Sequence, residues 1–207
     1  MSDRKIHAIG FTGPIKGGKT FLARELQRNL GFHYISLSDQ IRAVVRARGY
    51  DENDREILQN MGDELREKYG AGVLAERTFA EIKALGVLFV VIDSIRHPRE
   101  IDALNNNIPG IIIAGVDASQ GVRFQRYNDD RKRNGQEEIT LNEFLRLDNR
   151  EITGERKPHQ IQVDKCLALA KPILKNESNN PYLLIAEFDL KVGKVFAERA
   201  GIGKERY

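Results

Sequence analysis

Residues Gly13-Pro14-Ile15-Lys16-Gly17-Gly18-Lys19-Thr20 match the spacing G-x-x-x-x-G-K-[ST]. These residue types at this spacing suit phosphate binding. Glycines let the main chain curl with its N–H groups pointing inward at an anion. The lysine can reach the β- and γ-phosphates of a nucleotide, and the hydroxyl after it can ligate Mg²⁺. A buried strand, Ile6–Phe11, is predicted just before the loop. An amphipathic helix, Thr20–Leu30, follows, with Leu22, Leu26 and Leu30 on one face and Gly31 as its stop. Such a helix aims its positive end at the anion. The expected nucleotide cradle comprises Gly13, Pro14, Ile15, Lys16, Gly17, Gly18, Lys19, Thr20 and Phe21, with Lys16 as an extra cation.

A second acidic element ends the most apolar run, Val87–Ile92, at Asp93. Ligands of open parallel sheets gather at the carboxyl ends of strands. Asp93 is therefore expected to share Mg²⁺ with Thr20. Residue 94 is Ser rather than an acid that would polarise water, which favours group transfer over hydrolysis. No Asn-Lys-x-Asp is present, which argues against a GTPase switch.

Acceptor chemistry is expected at Ser36-Leu37-Ser38-Asp39-Gln40-Ile41-Arg42, where a second strand, His33–Leu37, meets its helix. Asp39, projecting from that strand end, can take a proton from an acceptor hydroxyl. Arg42 can grip an acceptor anion in two-pronged fashion, and Arg96 is a further anion-binding residue. Arg123 and Arg126 share a helix face. From a lid they can neutralise charge on a transferring phosphoryl group, Arg123 toward the substrate and Arg126 as a catalytic cation. The polar stretch Asp129–Ile139 reads as a mobile lid loop, with Arg131 and Arg133 as solvated charges. His7, His33, His97 and His159 lack metal spacing and read as structural.

These groups need a scaffold. Helices are predicted over Gln40–Arg48, Glu52–Lys68, Val73–Leu85, Pro98–Leu104, Ser119–Arg133, Thr140–Ile152 and Lys157–Ala170. Thr140 and Glu143 fit a capping box. Further strands are expected at Gly110–Val116 and Tyr182–Phe188. Continuous apolar strands alternating with helices imply an α/β fold with a parallel sheet covered on both faces. The expected organisation is one domain over residues 1–190. Acceptor helices lie near 40–85, a lid near 119–152, and a tail without core pattern over 191–207.

Composition narrows the function classes. The 207 residues are 41% apolar and 30% charged, with a net charge of +3. That weak charge argues against a nucleic-acid track. A lone cysteine, Cys166, excludes a disulfide framework and a cysteine-based zinc site. No apolar stretch reaches the length of a spanning helix, and the N-terminus lacks a signal-peptide core. The expectation is a soluble cytoplasmic protein, monomeric or homodimeric.

Taken together, GFTGPIKGGKT, ISLSDQIR and VVIDSIRHPREI resemble the nucleoside-monophosphate-kinase branch of P-loop proteins. The dephospho-CoA-kinase-like and deoxynucleoside-monophosphate-kinase-like group is the nearest shape, and the likeness covers roughly residues 6–178. Arg55–Glu76 is similar to the acceptor-domain helices of those kinases, and VDASQGVRFQRY with LNEFLRLDNRE to their lid. The resemblance implies a three-layer αβα fold. It implies transfer of the γ-phosphoryl of ATP, with Mg²⁺, to a nucleotide-like acceptor such as a nucleoside or deoxynucleoside monophosphate or dephospho-CoA. The Asp-Gly-x-Pro-Arg element of adenylate kinase is here Asp93-Ser94-Ile95-Arg96-His97-Pro98, which departs from an AMP acceptor. The alternative is a nucleotide-binding sensor or assembly module that uses the same loop as a switch.

Overall fold

The computed structural model describes residues 5–152 and 157–202. Five parallel strands form one sheet: β1 (His7–Thr12), β2 (His33–Ser36), β3 (Phe89–Ile95), β4 (Ile112–Asp117) and β5 (Ile173–Lys175), in the order β2-β3-β1-β4-β5. The β1 strand therefore lies between β3 and β4, and the loop leaving it opens at the centre of the sheet. Parallel strands need crossovers, and helices supply them. These are α1 (Lys19–Leu30), α2 (Leu37–Ala47), α3 (Arg55–Tyr69), α4 (Val73–Leu85), α5 (Pro98–Asn107), α6 (Gln120–Arg133), α7 (Leu141–Ile152) and α8 (Val163–Leu169). After β5 come α9 (Pro181–Phe188), a π-helical turn at Asp189–Gly193 and α10 (Lys194–Ala200).

Two apolar layers flank the sheet. One gathers Leu37, Ile41 and Val45 of α2 with Leu74, Ile82, Ile92 and Leu104. The other gathers Leu22 and Leu26 of α1 with Phe11, Val91, Leu184, Phe188 and Phe196. Burying an aliphatic side chain of this kind stabilises by about 1.5–3 kcal/mol. The α1 helix is thus pinned through Leu22 and Leu26, and its N-terminus is fixed at the phosphate loop.

The β1–β3 pairing is irregular where chemistry is expected. Gly10 pairs with Ile92, but Thr12 pairs with Ile95, so β3 carries one extra residue. Ser94 absorbs that extra residue at φ 66. A bulge bends the strand and re-aims its side chains. Asp93 therefore lies inside the strand, at the bulge, rather than just past its end.

Several sequence expectations change. Tyr182–Phe188 is helical, not a strand: Asn180 accepts a hydrogen bond from Tyr182 N, and Pro181 opens the first turn. The fifth strand is instead Ile173–Lys175, of which Leu174 alone is buried. The helix expected over Lys157–Ala170 starts at Val163. The tail is not featureless: Val192, Phe196 and Ala197 are buried, and Phe196 meets Phe32 at 5.2 Å. Residues 203–207 lie outside the described residues. The stretch expected to be a mobile lid loop is tied down, since the Asn128 amide bonds both N and O of Ile139 at 2.9 and 3.0 Å. The capping box at Thr140 and Glu143 forms as expected. Among the described residues, no helix is long and apolar enough to cross a membrane.

Candidate active site

The phosphate loop is built by exclusion of side chains. Gly13 sits at φ 138, and a Cβ there would overlap the Val116 carbonyl oxygen at the end of β4. A Cβ on Gly17 would lie 2.7 Å from that same oxygen. Only glycine tolerates both demands. Asn176, just past β5, locks the loop from the other side by donating from Nδ2 to Gly17 O at 2.9 Å. Lys16 adopts φ 58, a left-handed conformation that a non-glycine residue seldom takes.

Lys19 is 6% exposed at the centre of the loop. Its Nζ donates to Gly13 O and Pro14 O, both at 2.7 Å. An ammonium carries three N–H groups, so two are held by the loop itself. Burial is the main cause that lowers its pKa from 10.5 to about 8; Arg96 adds to the shift, and Asp93 and Glu151 oppose it. Thr20 Oγ1 donates to Asp93 Oδ2 at 2.6 Å, and Tyr34 donates to the same oxygen at 3.2 Å. Asp93 Oδ1 accepts from Ser94 N at 2.6 Å, a bond that the bulge makes available. Burial first, and then the Asp93 charge, push the Tyr34 phenol up to about 12.

An open cleft of about 1010 Å³ lies over this loop. Lys16, Lys19, Thr20 and Asp93 line it, as do Asp39, Arg42, Arg96 and Arg126. The structure thus brings together most of the residues singled out by sequence. The Asp39 side chain is 54% exposed and sits 3.4 Å from Arg42. It belongs to the first turn of α2 rather than to a strand end, because Ser36 caps that helix earlier than expected.

Gly13, Pro14 and Gly17 shape the loop without lining the cleft, and Arg123 stands apart from it. Its guanidinium is buried against Asp148 and Ala118 O, with Nη2 2.8 Å from Asp148 Oδ2. It does not line the cleft. A buried two-pronged pair fixes α6 against α7, and Arg123 Nη1 also reaches Ile15 O of the loop at 3.5 Å. Arg126 does face the cleft, but it is also a brace: it donates to Ser178 O at 2.6 Å and to Asn176 Oδ1 at 3.3 Å.

Glu151 was not singled out from sequence. It is 0% exposed on α7 and pairs with both Arg55 and Arg96. Burial alone would raise its pKa, but the charges of Arg96, Arg55 and Lys19 outweigh that and hold it near 2. Arg55 also lines the cleft and was likewise missed. Both residues sit in ordinary-looking helix ends, Asp54-Arg55-Glu56 and Asn149-Arg150-Glu151, with no local spacing to mark them.

Comparison with known proteins places this chain in a family. The sequence profile of AAA_17, AAA domain, matches residues 13–144. A UPF0200 protein of Methanosarcina mazei is 30% identical over 147 residues, covering 70% of this chain and 76% of that protein. The chain belongs to the AAA_17 and UPF0200 families. A UPF0200 protein of Methanothermobacter thermautotrophicus is 29% identical over 144 residues, covering 70% of this chain and 71% of that one. Among solved structures, a Chloroflexus aurantiacus protein superposes with a TM-score of 0.58 at 17% identity, covering 95% and 99% of the two chains. Shikimate kinase from Acinetobacter baumannii does so at 0.51 and 15%, covering 96% and 95%. Likenesses at such identities establish the fold alone, and that fold is the α/β fold of P-loop kinases. The AAA_17 match spans the phosphate loop and the helices α1 to α6, and so contains every cleft residue named above except Asn176 and Ser178.

Proposed function

We propose that this UPF0200 protein is a phosphotransferase that moves the γ-phosphoryl group of ATP to a small-molecule acceptor. One observation carries the reading: Thr20 Oγ1 and Asp93 Oδ2 stand 2.6 Å apart, at the mouth of a glycine-built anion cradle and facing a cleft with a separate wall for an acceptor. The residues fit the groups the reaction needs. Glycine at 13 and 17 lets the loop pack onto the Val116 carbonyl, and a loop curled in this way can turn main-chain N–H groups toward a phosphate. Lys19, Arg55 and Arg96 outnumber Glu151 and Asp93, so an anion is welcome there. Hydroxyl and carboxylate oxygens are the donor set that Mg²⁺ takes. When bound there, that ion would neutralise charge on the phosphate oxygens.

The chain's own residues do the rest. Lys19 and the loop amides hold the donor phosphates. Tyr34 and Ser94 N orient Asp93. Arg126 sits where α6 can cover the transferring group, and exclusion of water there limits hydrolysis. The nucleotide-like acceptor implied by the sequence resemblance is one candidate for the opposite wall, where Asp39 and Arg42 stand.

A coupled assay of ADP release with Mg·ATP tests the reading. Acceptor-dependent turnover is expected, and Asp93→Asn is expected to lower kcat/KM by about 100-fold or more. Tight ATP binding without turnover for any acceptor would instead mark a nucleotide sensor.

A further inference from the structure

The two walls of the cleft differ in chemistry. On the donor side, Ile15, Phe21, Pro181 and Leu184 offer apolar surface. The facing wall offers Ser36, Ser38, Asp39, Arg42, Asn53 and Arg55. Two tyrosines border it: Tyr34 has its hydroxyl bonded to Asp93 and the Arg24 guanidinium 3.5 Å from its ring centroid, and Tyr127 packs on Phe144 at 5.6 Å with Lys16 Nζ 6.0 Å from its centroid. Among the described residues, both rings bordering this wall already have a cation over them, and the wall's own lining side chains include no aliphatic one. A nucleobase needs an open apolar face, because flat rings gain their affinity from apolar contact over a large area.

What the wall does offer is hydroxyls, an amide, cations and one half-exposed carboxylate. Arg55 Nε is buried and finds no hydrogen-bond acceptor among the described residues, which marks a place for an incoming anion. Asp39 points the other way. Its contact with Arg42 is long, 3.4 Å, so the carboxylate retains acceptor capacity. A carboxylate at the point of attack repels an acceptor phosphate but accepts the proton of a hydroxyl.

We propose, resting on the phosphotransferase reading, that the acceptor is a small hydroxyl-bearing anion without a nucleobase, either a hydroxy acid or a phosphorylated polyol. Its hydroxyl oxygen bonds to the γ-phosphorus of ATP. The bond from that phosphorus to the β–γ bridging oxygen breaks, and its electron pair leaves on ADP. The hydroxyl proton passes to Asp39. The acceptor's anionic group meets Arg42 and Arg55.

ADP release with Mg·ATP is measured with three sets of probes. AMP, CMP and dTMP form the nucleotide set, D-gluconate and shikimate the carboxylate set, and glycerol 3-phosphate and glucose 6-phosphate the phosphate set. Thermal shift of the ADP-loaded protein reads binding independently of turnover. A hydroxyl anion from the second or third set is expected to raise ADP release at least about tenfold and to raise the melting temperature, and the nucleotides to do neither. With that acceptor, Asp39→Asn is expected to lose about 100-fold in kcat with KM little changed. Stimulation by a nucleoside monophosphate alone overturns this inference and leaves phosphoryl transfer standing. So does an Asp39→Asn variant with unchanged kcat. No response to any set, in a protein that binds Mg·ATP, also overturns it. Failure to bind Mg·ATP overturns the phosphotransferase reading itself.

Discussion

Affinity for Mg·ATP is expected to weaken about tenfold per pH unit above pH 8, and Lys19→Met is expected to abolish that dependence. The free protein holds Lys19 in a dry loop, where burial brings its pKa from 10.5 to about 8. Triphosphate beside the ammonium favours the charged form and raises that pKa again. Binding above pH 8 must therefore take up a proton, and each further pH unit makes that uptake tenfold less favourable. Below pH 8 the lysine is already charged, and affinity levels off. Lys19→Met has nothing to titrate, so its affinity is lower by about 100-fold and flat from pH 7 to 9. Calorimetric titration in buffers of different ionisation enthalpy counts the protons directly. Equal affinity at pH 7 and pH 9 in the wild-type protein contradicts the burial of Lys19 as the source of its shift.

Glu151→Gln is expected to cost about 3 kcal/mol of folding stability at pH 7, a gap that closes in acid. Glu151 has a folded pKa of about 2 against an ordinary 4.5. A lowered carboxylate pKa contributes stability that is fully present above 4.5 and is lost as pH falls through 4.5 toward 2. The 2.5-unit difference corresponds to about 3 kcal/mol at 1.36 kcal/mol per unit. The physical origin is plain. Glu151 is the carboxylate between Arg55 and Arg96, and its loss leaves two guanidiniums uncompensated in a buried place. Urea titrations at pH 7, 4 and 2.5 read the effect. A wild-type-like midpoint at pH 7, or a difference that does not shrink with acid, removes Glu151 from the role of cation balance. Because Glu151 ties α7 to α3 and to the exit of β3, the variant is also expected to loosen α7 from both.

The phosphate loop and its two neighbours could be read from residues alone because their chemistry is local. Gly13, Gly17, Gly18, Lys19 and Thr20 occupy fixed offsets on one turn, and Leu22 and Leu26 repeat at helical spacing behind them. Asp93 was legible for a similar reason, at the end of an apolar run. Its bulge was not, since Ser94 at φ 66 answers to the pairing of β3 with β1, a long-range constraint. The same division explains the errors. Tyr182–Phe188 is an apolar run too short for periodicity to separate helix from strand, and Asn180-Pro181 decided it. Ile173–Lys175 is three residues with one buried side chain, below any pattern threshold. Arg123 shares a helix face with Arg126, so spacing grouped them, yet Asp148 on a different helix claims Arg123 for packing. Glu151 and Arg55 lie 96 residues apart and meet only in the fold.

The central claim is that the bend between β1 and α1 wraps the polyphosphate of a magnesium nucleotide. Calorimetric titration of a non-hydrolysable ATP analogue at pH 7, with Mg²⁺ and without, tests it in the wild-type protein and in Lys19→Ala. One saturable site is expected that tightens with Mg²⁺ and is weakened about 100-fold or more in a Lys19→Ala protein with an unchanged circular dichroism spectrum. No measurable heat with the wild-type protein, or equal affinity in the two, contradicts it.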